Sequence, residues 1–328
     1  MLNEAMKRSR VGAASVAGGL LVAGLLLAGC AGGGSAHLAG GPVSTGSPVT
    51  TVPVPTGPNQ LSALPITHYE LTAAQQAVLT NAEAALVHSC MEQLGLDYTL
   101  PVAAPSSGTD DLSGDLPDND PALAATQGYR DRSVAAAQIA YEQRSKAAAP
   151  VSPRITTALL GASTPWNSAT PDGGCLGQAR RTIAGAKAAD PDVDFDTPQL
   201  VTNIQLNSYF AALADGRVKD VFGAWSACMK ARGFDYPSPV AAVDDPRWKA
   251  LQPATALEIR TATADVSCKY QHNVDGVFHA VQVADENTAI DANLGALQQI
   301  RAGLDSALAT ATRIEGQPAP GPSGGGAG

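Results

Sequence analysis

Between Ala31 and Gln60 the chain has no lysine, arginine, aspartate or glutamate. The stretch is rich in Gly, Pro, Ser and Thr, a composition that builds no hydrophobic core and reads as a spacer. Other shortages bound the rest of the molecule. Aromatic residues are only 5% of the sequence and charged residues 16%, with a formal net charge of −9. An acidic chain without a basic cluster excludes nucleic acid and anionic lipid as charge-driven partners. Past the N-terminal region no apolar run reaches the ~18 residues that a spanning helix needs. Ala254 to Glu315 contains no proline, so no residue there breaks a helix by lacking a backbone donor. Runs of alternating β-branched residues, the mark of half-buried strands, are few.

What is present starts at the N-terminus. "MLNEAMKRSR" carries Lys7, Arg8 and Arg10, and an apolar run "VGAASVAGGLLVAGLLLAG" leads to Cys30. Positive charge followed by an apolar stretch is the pattern of a secretory signal. Leu27, Ala28 and Gly29 before Cys30 resemble a bacterial lipobox. That resemblance implies cleavage before Cys30 and a diacylglyceryl thioether on its sulfur. Each buried methylene contributes about 0.8 kcal/mol, so two or three palmitate-type chains hold a protein on a membrane durably. Residues 1–29 are then the signal peptide. Removing them takes Lys plus Arg from 21 to 18 and Asp plus Glu from 30 to 29, a mature charge of about −11.

The organisation expected downstream is a Gly/Pro/Thr linker over 30–64, an N-terminal helical half over 65–190 and a C-terminal helical half over 191–315. A disordered tail follows over 316–328. Thr72 with Gln75 forms a capping-box pattern, and Leu79, Ala82, Leu86, Cys90 and Leu94 then recur at helical spacing. Further helices are expected over 133–149, after Asp172, over "LVTNIQLNSYFAALAD" and over "RVKDVFGAWSACMKARG". The proline-free stretch predicts a long helix or a kinked pair, interrupted near "HNVDG" at 272–276. The fold class is mostly α, a disulfide-braced helical domain with two repeat-like halves.

Two nonapeptides, "CMEQLGLDY" at 90–98 and "CMKARGFDY" at 228–236, share five residues. Each reads as a helix end. Gly95 and Gly233 take the position past the C-cap, where the backbone turns left-handed and only glycine does so without steric cost. In the Schellman arrangement Leu96 then meets Met91, and Phe234 meets Met229. Cys90, Cys175, Cys228 and Cys268 are an even number in an exported chain, which favours two disulfides. The simplest pairing is Cys90–Cys175 with Cys228–Cys268, and the swapped Cys90–Cys228 with Cys175–Cys268 preserves the symmetry too. "DGGC" and "DVSC" both place Asp three before the second cysteine. Zinc sites bring cysteines in close pairs, and here none are close, so neither a metal nor another cofactor is expected.

"DGGCLGQA" (172–179), "AWSACMKARGFDYPSP" (224–239) and "EIRTATADVSCKYQ" (258–271) resemble a family of uncharacterised actinobacterial secreted proteins and lipoproteins. Its members repeat a W-S-x-C-M-x-x-x-G-[YF]-x-Y-x-x-P segment, an E-x6-D-x2-C segment and a long helix. The first half matches only around 90–98, where Val87 stands in place of Trp225. The resemblance implies export, disulfides and helices, and no reaction.

Other chemistry is sparse. Asp190, Asp192, Asp194 and Asp196 alternate like the start of a calcium loop, but Thr197 and Asn203 occupy positions that need Gly and Glu. His88 adjoins Cys90, whose thiolate a disulfide would silence. His272 and His279 could share a helix face. No G-x-S-x-G, H-E-x-x-H or phosphate-binding glycine loop occurs. The function expected is a lipid-anchored binding or scaffolding accessory on the extracytoplasmic face of the cell membrane, not an enzyme. Its partner would be an envelope protein or cell-wall component, met at the exposed end of the long C-terminal helix pair. The alternatives are an envelope hydrolase using carboxylates such as Asp235 and Glu258, or a solute-binding lipoprotein of a transporter.

Overall fold

Helix caps written in the sequence set most element boundaries. The computed structural model describes residues 51–58, 60–100, 120–129, 139, 143, 151–161, 169–185, 198–248 and 253–316. The signal segment, Cys30, most of the 133–149 stretch, Trp166, the Asp190–Asp196 run and the tail beyond Gly316 lie outside the described residues. A 3-10 turn, Pro65–Tyr69, leads into α1 (Ala73–Gln93). There follow α2 (Pro121–Gln127), α3 (Pro153–Leu160), α4 (Gly174–Ala184) and α5 (Gln199–Ala214). Then come α6 (Gly216–Ala231), α7 (Pro239–Val243), α8 (Ala256–His272) and α9 (Val274–Glu315). The described residues contain no strand.

Both bonds of the Thr72–Gln75 capping box are present, at 3.2 and 3.0 Å. Ser152, Asp215, Ser238 and Thr255 cap α3, α6, α7 and α8 through their side chains, each satisfying a backbone N–H that the helix leaves open. The proline-free stretch forms two helices. Asn273, at φ 51° and ψ 41°, ends α8 and begins α9. Asn tolerates this left-handed conformation better than most side chains. The interruption falls within the expected "HNVDG".

Asp172 does not cap α4. Gly173 takes that position at φ 70°, and Gly174 follows at φ 66°. A Cβ on Gly174 would collide with the backbone of Leu159 and Gly161. Close docking of this turn on the end of α3 therefore selects a glycine pair, and Asp172 contributes only its carbonyl, to Arg181 at 2.6 Å.

The buried side chains form four clusters. Around the second nonapeptide, Val218, Phe222, Trp225 and Met229 pack with Val266, Phe278 and Val281, and with Tyr129 from the sequence-proximal half. Around the first, Val87, Cys90, Met91 and Leu94 pack with Leu159, Cys175 and Ala179. Leu64, Ile66 and Tyr69 join Val201, Ile204 and Leu297, while Leu79, Ala82 and Ile183 join Ala307 and Ala311. Helix α9 enters three of the four. Its 42 residues span about 63 Å at ~1.5 Å per residue. Its C-terminal part packs on α1 and α4 through Ala307 and Ala311, while the other side chains over 298–316 are exposed or half-buried.

The core begins before the 3-10 turn. Pro55 is buried and Leu64 is 1% exposed, although both lie in the stretch that composition assigns to the linker. Ser62 Oγ lies 3.3 Å from His279 Nε2, and Ile66 N–H donates to Glu286 Oε2 at 3.0 Å. Further on, Arg301 donates to the carbonyls of His68 and Glu70. Contacts that advance together in both segments show residues 53–86 running alongside α9 in the same direction.

Candidate functional site

Both nonapeptides close their helices in the same way. Leu96 N–H donates to the Met91 carbonyl at 2.9 Å and Gly95 N–H to that of Glu92 at 2.9 Å. Phe234 N–H and Gly233 N–H reach Met229 and Lys230, each at 3.0 Å. These are the paired bonds of a Schellman end, with Gly95 at φ 70° and Gly233 at φ 89°. A further bond recurs at equivalent positions. His88 Nδ1 lies 3.3 Å from the Tyr98 carbonyl, and Ser226 Oγ donates to the Tyr236 carbonyl at 2.6 Å. A polar side chain two residues before each cysteine thus pins the tyrosine that follows the turn.

Disulfides join Cys90 to Cys175 and Cys228 to Cys268, with Cα separations of 5.6 and 5.9 Å. The helices they join differ in direction. Cys90 meets Cys175 while Glu83 meets Arg180 at 3.0 Å, so α1 and α4 are antiparallel. Cys228 meets Cys268 while Trp225 meets Asp265 at 2.9 Å, so α6 and α8 run parallel there. Val87 offers no donor at the position of Trp225, and Asp172 lies outside its helix. The first brace therefore lacks this second rung.

Beneath the second brace, Glu258, Asp265 and Lys269 are each 0% exposed. Lys269 Nζ stands 3.3 Å from Asp265 Oδ2. Burial pushes the Asp265 carboxyl up, and the Lys269 ammonium and Trp225 indole pull it the other way. Full enclosure leaves this cluster no access for a substrate; its chemistry is that of a packed ion pair. Asp235 is exposed while Glu258 is fully buried, so these two carboxylates do not share a cleft. His272 and His279 are divided by the Asn273 break, and His279 is 3% exposed against Ser62. No group of metal-holding residues occurs among the described residues.

After the second brace, the buried Tyr236 donates through Oη to Asp245 Oδ2 at 2.7 Å, and the exposed Arg247 reaches both. The Arg247 guanidinium stands 5.1 Å over the Trp248 ring. All members of this network satisfy one another, which locks the loop after the second brace.

Among the described residues, an accessible cleft of ligand size lies between α5 and α9. It has a volume of about 390 Å³ and is walled by Asn203, Asn207 and Ala211 on one side and Asp285, Ala289 and Asn293 on the other. Its floor includes Ser208, whose hydroxyl donates to Glu286 Oε1 at 3.0 Å. Burial raises the Glu286 carboxyl, opposed by the Ile66 N–H and the Ser208 hydroxyl. Glu286 thereby ties α9, α5 and the 3-10 turn together beneath the cleft. Next to Asn203 and Asn207, Leu206 and Phe210 are 49% and 61% exposed. These cleft residues escaped the sequence reading. Asn203 and Asn207 are one turn apart, a signal that helical spacing carries, but their α9 neighbours lie some eighty positions away.

No family model, no curated protein and no solved structure matches the chain.

Proposed function

We propose that this is a lipid-anchored extracytoplasmic protein that acts as a binding or scaffolding accessory in the cell envelope. The observation that carries the binding role is the α5–α9 cleft: it is open, of ligand size, and walled mainly by amide and small apolar side chains. Its walls carry amides that can both donate and accept hydrogen bonds, which supports a role in holding a ligand. Two disulfides support an oxidising compartment, and the charged-then-apolar N-terminus ending at Cys30 supports export and acylation there. The chain would meet the membrane through the lipid on Cys30.

Two measurements test the reading. Cys30→Ala should abolish labelling with a palmitate analogue and leave the N-terminal signal uncleaved. A photo-crosslinking residue at position 207, in intact cells, should repeatedly capture one envelope component. Unchanged labelling and processing in Cys30→Ala, or no recurrent capture, would count against the anchor and the binding role respectively.

A further inference from the structure

The cleft's chemistry narrows its ligand, and the inference that follows rests on the binding role above. We propose that the α5–α9 cleft takes a neutral oligosaccharide, with Asn203, Asn207 and Asn293 on its hydroxyls and Phe210 against a ring face.

The lining contains no lysine or arginine. Its one carboxylate, Asp285, interacts electrostatically with Arg217, which also forms a 2.8 Å ion pair with Asp215. A phosphate-bearing or carboxylate ligand would thus meet no free cation, and the acidic chain would repel it. A cationic ligand would find a single carboxylate already faced by a guanidinium. Neutral ligands remain.

The amides are arranged to offer both donors and acceptors. Asn203 Oδ1 accepts from Gln199 Nε2 at 2.8 Å, which directs its Nδ2 hydrogens toward other acceptors. Asn293 Nδ2 donates to the Ala289 carbonyl at 2.7 Å, which turns its Oδ1 toward other donors. A planar carboxamide supplies a donor and an acceptor side by side, the pairing that adjacent sugar hydroxyls present. Asn203 and Asn207 are exposed, so neither is consumed by the core.

The apolar part fits the same ligand. Phe210 lies outside the lining itself, three positions after Asn207 and next to Ala211 on α5, where a ligand longer than the cleft would meet it. Tyr209 meets the Phe210 ring edge-on at 5.6 Å and packs on Phe278 at 5.5 Å. A ring so braced and still 61% exposed offers a fixed platform for the C–H face of a pyranose. Small Ala211 and Ala289 leave the width between the walls.

The test uses the full-length chain extracted from membranes in mild detergent, titrated calorimetrically with β-1,4-linked N-acetylglucosamine tetramer, cellotetraose and maltotetraose. An uncharged extended hexapeptide of Gly, Ala and Ser is run beside them. Saturable binding of at least one sugar is expected, nearly independent of salt. Asn207→Ala and Phe210→Ala should each weaken it about tenfold or more. Gln298→Ala, on an exposed part of α9 away from the cleft, should leave it unchanged, with helical circular dichroism the same in all variants. Failure of all three sugars, equal binding by Asn207→Ala and Phe210→Ala, or binding of the peptide alone overturns the proposal. If sugars fail while position 207 captures an envelope protein in cells, the sugar is wrong and the binding role stands. If neither ligand class is captured, both fall.

Discussion

Trp225 Nε1–H donates to Asp265 Oδ1 at 2.9 Å, and three positions further along both helices Cys228 is bonded to Cys268. The covalent and polar rungs thus fix the same pair of helices in the same register. Trp225→Phe keeps the ring and removes the donor. A buried carboxylate that loses a hydrogen bond costs about 1.5–3 kcal/mol. Urea unfolding should show that loss, and a variant within a few tenths of a kcal/mol of the parent would mean the rung is idle.

The two disulfides should differ in their ease of reduction. Cys90, Cys175 and Cys268 are buried, whereas Cys228 is partly exposed. Thiolate attack requires access to a sulfur. Under mild reductant and rapid alkylation, label should appear on Cys228 and Cys268 before Cys90 and Cys175. The opposite order would overturn this account of access. Replacing each pair by alanine should cost up to about 4.5 kcal/mol for Cys90–Cys175 and about 4 kcal/mol for Cys228–Cys268 in the chain-entropy account, whose loops span 85 and 40 positions.

Burial, helped by the hydrogen bond to Asp245, pushes the Tyr236 phenol up to about 12 from an ordinary value of 10.0. Tyr270 is pushed up to about 12 as well, by burial and then by the charges of Asp275 and Asp120. The folded state therefore holds these protons more tightly than the unfolded state. The resulting stabilisation is whole below the unfolded value and is lost as pH rises from about 10 through about 12. Absorbance titration of the phenols should show late ionisation, and Tyr236→Phe should remove part of it. A Tyr236→Phe profile that loses only an early transition would refute the assignment.

Gly276 lies where the segment around Pro53 comes against the start of α9. A Cβ there would collide with the Pro53 carbonyl oxygen and the Asn273 side chain. Gly276→Ala should displace residues 51–58 and cost about 1–3 kcal/mol through overpacking. Limited proteolysis should then cut this segment faster, while cleavage elsewhere stays the same. Unchanged cutting would place this segment elsewhere.

Features set by neighbours in sequence were readable from the residues. The Schellman ends at Gly95 and Gly233, the Thr72–Gln75 box and the break before Val274 each need only a few consecutive side chains. Likeness of the halves allowed two symmetric cysteine pairings, and the structure holds the simpler one, Cys90 with Cys175 and Cys228 with Cys268. Helix direction was not readable in that way. It depends on how long connections return, and the halves differ: α1 and α4 oppose each other, while α6 and α8 run together. Trp225 and Asp265 did carry a signal, since each stands three before its cysteine, but the match has meaning only for parallel helices. The cleft was hidden because its walls come from α5 and α9, and no local pattern ties Asn207 to Asn293. The start of the packed chain was hidden too. Leu64 and Pro55 sit in a stretch with spacer composition, yet both are buried, Leu64 in the cluster that holds Leu297 of α9.

The parallel course of residues 53–86 beside α9 has a mechanical consequence. A load drawn on the chain ahead of Pro53, back along that course, meets the bonds at Ser62, Ile66 and Arg301 together, in shear. They must slide as a set, with α1 and its bridge to Cys175 behind them, and cannot be peeled one at a time.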